Sequence, residues 1–224
     1  MLIRIQSAWL LGLMCWAALA SGQDAQEQSA NDVVRAASEK VMAVVEEAQS
    51  YADQDPERYY GEIQQILDPV VDFRGFARGV MGPYASSDRY RSLDEAGREQ
   101  LRDQLDRFTE VMRTGLVRTY GKGLLAFGGS RMDVSPPAAD DPAVDRATVE
   151  QLIYSEKAEP YVVYYQMGRD KSGEWKLRNM IVETVNLGEI YRSQFQAAAR
   201  EHEGNIDAVI DTWSLDAAEK ELPN

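Results

Sequence analysis

The 224-residue chain carries 24 basic and 37 acidic residues, a net charge of −13, which argues against nucleic acid and against adsorption to anionic bilayers. Its one cysteine (Cys15) and one histidine (His202) leave no material for a disulfide, a multi-histidine or thiolate metal site, or a His-paired nucleophile. The length suffices for one good core with a subdomain.

In chain order, Arg4 precedes the apolar run Ala8–Ala20, AWLLGLMCWAALA, which ends on Ala18-Leu19-Ala20. The run is short of the roughly 20 residues that span a bilayer, and the pattern is that of a cleaved export signal covering residues 1–20. Lipoprotein processing at Cys15 is disfavoured, because Gly12-Leu13-Met14 makes a poor lipobox. Removal of the leader takes away Cys15 and Arg4, so the mature chain is cysteine-free and one unit more acidic. The expected location is the periplasm, without stable membrane insertion.

Residues 21–31 read as a polar, flexible start. From Asn31 to Tyr51, Val34, Val41, Val45 and Ala48 mark one helical face. Asp55-Pro56 reads as an N-cap followed by proline at the first helical position, opening a second helix that Pro69 ends. The segment VVDFRGFARGVMGPY (70–84) has Phe73, Phe76, Val80 and Tyr84 in one stripe after an Asp72 N-cap, yet it carries Gly75, Gly79 and Gly82. Each glycine costs up to roughly 1 kcal/mol against alanine in a helix. The third helix therefore either packs tightly on another backbone or borders something that is not protein.

Ser92 and Glu95 suggest a capping box for a long fourth helix. Its stripe is Leu101, Leu105, Phe108, Met112, Leu116, Tyr120 and Leu124, and Gly128-Gly129 stops it. The period then changes. SRMDVSP, ATVEQLIYS, PYVVYYQMGRD and GEWKLRNMIVETVNL read as four strands. In the third of these, Tyr161, Val163, Tyr165 and Met167 share a face opposite Val162, Tyr164 and Gln166. In the fourth, Trp175, Leu177, Ile181, Val185 and Leu187 share one face, with Met180 and Val182 opposite. Both sheet faces are apolar toward the middle, so both are expected to be covered. A last helical region runs from Glu189 toward Trp213. Helices first and a meander after them give an α+β class.

The sequence offers little for catalysis. GKGLLA (121–126) matches a dinucleotide fingerprint, but at the C-terminal end of a helix, where the dipole has the wrong sign for pyrophosphate. Asp140, Asp141 and Asp145 lack EF-hand spacing and read as a solvated turn. No catalytic or metal-ligating residue is nominated.

VDFRGFARGVMGPY, LVRTYGKGL (116–124), EWKLRNMIVETVNL and YRSQF (191–195) together resemble, in order over about 31–213, the MlaC family of periplasmic phospholipid-binding proteins, also called toluene-tolerance auxiliary proteins. The family usually has Asp, Gly and Ser where this chain has Asn179, Thr184 and Asn186. The resemblance implies an NTF2-like (cystatin-like) antiparallel sheet of about four strands, at about 128–188. An added helical subdomain, at about 55–110, would enclose an apolar cavity, and a tail follows at 214–224. It implies a carrier, not an enzyme, whose cargo is phospholipid and which needs no cofactor. The implied partners are the lipid-binding component of an inner-membrane ABC transporter and an outer-membrane lipoprotein/porin complex. Exchange between them would maintain outer-membrane lipid asymmetry, by a monomer.

On that resemblance the lipid-facing residues are Phe73, Phe76, Val80 and Met81, then Phe108 and Met112, Val163 and Tyr165, Met180 and Val182, and Tyr191 and Phe195. Arg192 is the candidate for a headgroup phosphate at the cavity mouth, against an ion pair to Glu183 that ties its helix to the sheet. Two other readings stay open. One is a chaperone-like binder of apolar peptides, and the other an NTF2-like small-molecule enzyme.

Overall fold

The computed structural model describes residues 28–127, 131–136, 145–154 and 159–215. The leader pattern and Asp140 and Asp141 lie outside them. Helix α1, Ala30–Ala48, starts from a capping box in which Ser29 and Asp32 bond each other's backbone. Asp55 caps α2, Pro56–Leu67, with Pro56 at its first turn as the sequence suggests. Asp72 caps α3, Phe73–Met81, by accepting from the Gly75 N–H at 2.8 Å. A single 3₁₀ turn, Gly82–Ala85, leads to α4, Ser87–Ser92, a short helix the apolar periodicity does not mark.

Helix α5 runs from Glu95 to Phe127. Its cap is Asp94, which accepts from the Gly97 N–H at 2.9 Å. The Ser92 hydroxyl instead donates to the Arg89 carbonyl at the end of α4, so the Ser92–Glu95 box does not form. The intervening α4 uses Ser92 up.

The sheet is a simple antiparallel meander of β1 (Met132–Val134), β2 (Arg146–Ile153), β3 (Tyr161–Arg169), β4 (Trp175–Val182) and β5 (Val185–Asn186). The segment read as one long fourth strand is two. Glu183 turns the chain at φ 56°, β5 pairs back on β4, and α6, Leu187–Glu201, begins at once. Asn186 caps α6, while Asn179 donates to Asn186 and accepts from the Gly188 N–H. The two asparagines that depart from the family phrase thus form the joint between β4, β5 and α6. A last helix, α7 (Ile206–Asp211), completes the α+β fold.

Between β3 and β4 the register slips. Gln166 pairs with Asn179, but Met167 pairs with Leu177, so Arg178 is an extra, bulged residue. Its guanidinium pairs with Asp72, the cap of α3. Beside it the chain at Val70–Asp72 bonds to Leu177 through both backbone groups. The bulge locks α3 to the sheet, and it flips the phase of β4. Leu177 now lies on the same face as Met180 and Val182, not opposite them.

Three buried clusters organise the described residues. One joins α3, α5, α6 and α7 around Phe108, Met112, Tyr191 and Phe195. A second joins α1, α2 and α5 around Val45, Tyr59 and Ile63. The third seals one end of the sheet with Ala30, Val34, Val149, Met167 and Trp175. The opposite sheet face carries Leu152, Val162, Tyr164 and Ile181 in register. These four are half-buried and belong to none of the clusters.

Candidate functional site

Between the clusters the protein is hollow. A cavity of about 440 Å³ lies between one sheet face and the walls made by α1, the end of α2 and the second half of α5. Strand alternation supplies the floor. Tyr161, Val163, Tyr165 and Met167 project from β3, the cross-strand partners Ile153 and Gln151 from β2, and Met180 and Val182 from β4. Leu177 joins them because of the bulge at Arg178. Val34, Ala37 and Val41 of α1, Leu67 at the end of α2 and Val70 after it, and Tyr120 and Leu124 of α5 form the other side. Nearly all of these are aliphatic or aromatic.

The cavity has a closed end and an open one. At the closed end Val34, Met167 and Trp175 are packed together and buried. Exposure rises along β3 and its neighbours, from Val163 (3% exposed) to half-buried Tyr161, Ile153 and Met132, with exposed Gly123 opposite on α5. The mouth is at that end.

The floor carries one polar island. The Tyr165 hydroxyl donates to Gln151 Oε1 at 2.6 Å, and Gln151 Nε2 donates to Ser38 Oγ at 2.7 Å. Gln151 is 1% exposed. The Tyr165 ring meets cavity space, and desolvation of its hydroxyl pushes its pKa well above the usual phenol value.

The sequence-derived list divides cleanly. Val163, Tyr165, Met180 and Val182 all line the cavity, on one face, because Val163 pairs with Val182 and Tyr165 with Met180. None of the eight helical candidates does. Val80, Met81, Phe108, Met112, Tyr191 and Phe195 fill the α3–α5–α6–α7 core, with Phe76 packed against it. Phe73 is buried at the start of α3 and is not among the lining residues. Phe108 meets Phe195 edge-on at 4.9 Å, and Phe76 meets Tyr191 in the same way at 6.2 Å. Ring against ring leaves no space there for a ligand.

Gly75 and Gly82 accordingly have local reasons. A Cβ on Gly75 would come within 2.1 Å of the Asp72 carboxylate that caps the helix. Gly82 ends the helix at φ 55°, a conformation side chains rarely adopt. Gly79 has open space around it, and its carbonyl accepts from Arg192 Nε at 2.9 Å. Arg192 is exposed and lies outside the cavity lining. Glu183 accepts from the Val162 N–H instead of pairing with Arg192. Arg192 ties α6 to α3, and it makes no ion pair with Glu183.

Residues the sequence reading missed come from α1 (Val34, Ala37, Ser38, Val41), the end of α2 and the chain after it (Leu67, Val70, Val71), the second half of α5 (Thr119, Tyr120, Gly123, Leu124) and the strands (Met132, Gln151, Ile153, Tyr161, Met167, Leu177). The α1 stripe was visible, but nothing in a stripe says whether it faces protein or space. Among the described residues no group of His, Cys, Asp and Glu is placed to hold a metal ion. No described helix is long and apolar enough to cross a membrane.

An antiparallel meander with an apolar cavity walled by helices defines the architecture as α+β. The chain matches the family model described as MlaC protein over residues 35–214, and it belongs to that family. It is similar to the toluene tolerance protein ttg2D of Pseudomonas putida, with 29% identity over 191 residues that cover 85% of this chain and 82% of that one. Its fold is similar to that of a phospholipid-binding protein from Ralstonia solanacearum solved in complex with a phospholipid. The TM-score is 0.66 and the identity 19%, over 86% of this chain and 98% of that one.

Proposed function

We propose that this protein is a periplasmic phospholipid carrier that holds acyl chains in the cavity under α1 and α5, with the headgroup outside. It exchanges lipid between the lipid-binding component of an inner-membrane ABC transporter and an outer-membrane lipoprotein/porin complex, and so maintains outer-membrane lipid asymmetry. The observation that carries this reading is the cavity itself. Its volume of about 440 Å³ falls within the roughly 300–1,000 Å³ of small-molecule sites, and its lining is predominantly apolar, with Ser38, Gln151 and Thr119 the polar exceptions beside the tyrosines. The phospholipid-bound relative of the same fold supports the cargo class.

The energetics suit a shuttle. Two acyl chains, on the order of thirty CH₂ groups, are worth roughly 25 kcal/mol against water at about 0.8 each. A lipid in a bilayer already has that energy, so transfer into the cavity is a small difference between two large terms and reverses without a cofactor. Direction then comes from the partners. The acidic surface disfavours adsorption on anionic bilayers and favours docking on basic patches.

The test is native mass spectrometry of the protein released intact from its host. The expected result is a mass increment of bound phospholipid, recovered by extraction at a fixed ratio to protein. A protein free of lipid would overturn the reading. A bound peptide would replace it with the chaperone-like binder, and turnover of a small apolar substrate with the enzyme.

A further inference from the structure

An apolar cavity does not need hydrogen-bonding groups, and this one has three that converge. Ser38 of α1, Gln151 of β2 and Tyr165 of β3 all line it and bond in series at 2.7 and 2.6 Å. Together they hold four donor hydrogens, one on each hydroxyl and two on the amide. The two bonds of the series use two of them. That count is the same whichever way the Gln151 amide is turned. In either orientation one of the two spare donors is an amide hydrogen of Gln151, which is 1% exposed, so bulk water does not serve it. A buried donor without a partner carries a desolvation penalty, and a ligand oxygen that accepts from it recovers that cost.

We propose that this island is a recognition site for an oxygen function, carbonyl or hydroxyl, on the bound acyl ligand, and that it sets both ligand preference and depth. The inference rests on the carrier reading above. Tyr165 lies four residues along β3 from half-buried Tyr161 at the mouth, about 14 Å at the rise of a strand. An oxygen part-way down a chain would reach it, and so would an ester carbonyl on a deeply seated lipid. The site accepts the same chemistry from either source.

The experiment is competition for the delipidated protein in two pairs. One pair is 12-hydroxystearic acid against stearic acid. The other is a diacyl phosphatidylglycerol against its dialkyl ether counterpart, which lacks the carbonyls. The expected result is a preference of about fivefold or more for the oxygen-bearing member of at least one pair, the size of one net hydrogen bond. Preference in the first pair assigns a mid-chain oxygen, and preference in the second the ester. In Gln151→Met combined with Tyr165→Phe the ratio should fall toward one. The wild-type ratios decide the matter alone should that variant not fold. Ratios near one in both wild-type pairs, or a ratio the double variant keeps, would overturn the proposal and leave the island as a tie between α1 and the sheet. Binding of none of the four probes would overturn the carrier reading itself, and this inference with it.

Discussion

The helical core and the sheet cavity hide comparable apolar residues from solvent and treat them in opposite ways. Phe108 is fully buried and meets Phe195 at 4.9 Å and Trp213 at 5.2 Å, both edge-on. Interlocking rings of this kind gain quadrupole contacts beyond their buried area and leave no voids. Val163 is almost as inaccessible, at 3%, yet it belongs to none of the packed clusters and looks onto the cavity across from Val41 and Leu124. Short aliphatic side chains on two walls do not reach each other across such a gap. Burial from water and packing against protein are separate properties here. The core has both, while the cavity wall has only the first.

The sharpest way to break that comparison is Phe108→Ala. Removing a packed ring typically costs about 3–5 kcal/mol through lost transfer energy and a cavity that does not collapse. Urea unfolding should show that loss equally in lipid-free and lipid-loaded protein. A loss that lipid abolishes would mean the ligand reaches Phe108, and the division between the two regions would fail.

Asp72→Ala acts on the boundary. The carboxylate caps α3 through the Gly75 N–H and pairs with the bulged Arg178. Loss of a cap typically costs about 1 kcal/mol, and the half-buried Arg178 loses its partner as well. A destabilisation of about 2 kcal/mol is expected. It should come with reduced lipid content, because the bulge is what turns Leu177 into the cavity. Unchanged stability would show that the α3-to-sheet lock is weak.

The sequence showed the frame of both regions better than the distinction between them. Helix α2 was legible from Asp55-Pro56, α3 from Asp72 and its stripe, and the face of β3 from simple alternation through Met167. What failed was local competition or long-range context. Asp94 outcompeted Ser92 as cap because α4, too short to show a period, lies directly before it. The bulge at Arg178 exists because Arg178 reaches a carboxylate 106 residues away, which no window over β4 reveals. For the site, a third of the apolar candidates line the cavity. Val163, Tyr165, Met180 and Val182 are cavity residues, whereas the stripes of α3, α5 and α6 face each other. Periodicity reports which face is turned inward and is silent on what fills the inside.

Arg192→Ala gives a smaller effect. Its one described bond, to the Gly79 carbonyl, is on the surface, so the loss should stay below about 1 kcal/mol. Bound lipid per chain should not change. A drop in lipid at unchanged stability would restore a headgroup role to Arg192 and place the mouth on the α6 side.

The smallest change in stability is expected at the most informative position. Val163 sits mid-floor, with Val182 and Gln151 beside it in register and cavity in front. In a packed core, inserting a ring typically costs about 1–3 kcal/mol through forced rotamers and backbone shifts. Over empty volume the ring has somewhere to go. Val163→Trp should therefore leave the unfolding free energy of the delipidated protein within about 1 kcal/mol of the parent. The indole takes volume that the ligand needs, so phospholipid bound per chain should fall sharply. The two readings move apart only if the cavity is both real and the place where lipid lies. A loss of several kcal/mol in the delipidated protein would mean the cavity closes when lipid leaves, and the sheet face is then ordinary core. Unchanged stability with full lipid content would put the acyl chains elsewhere.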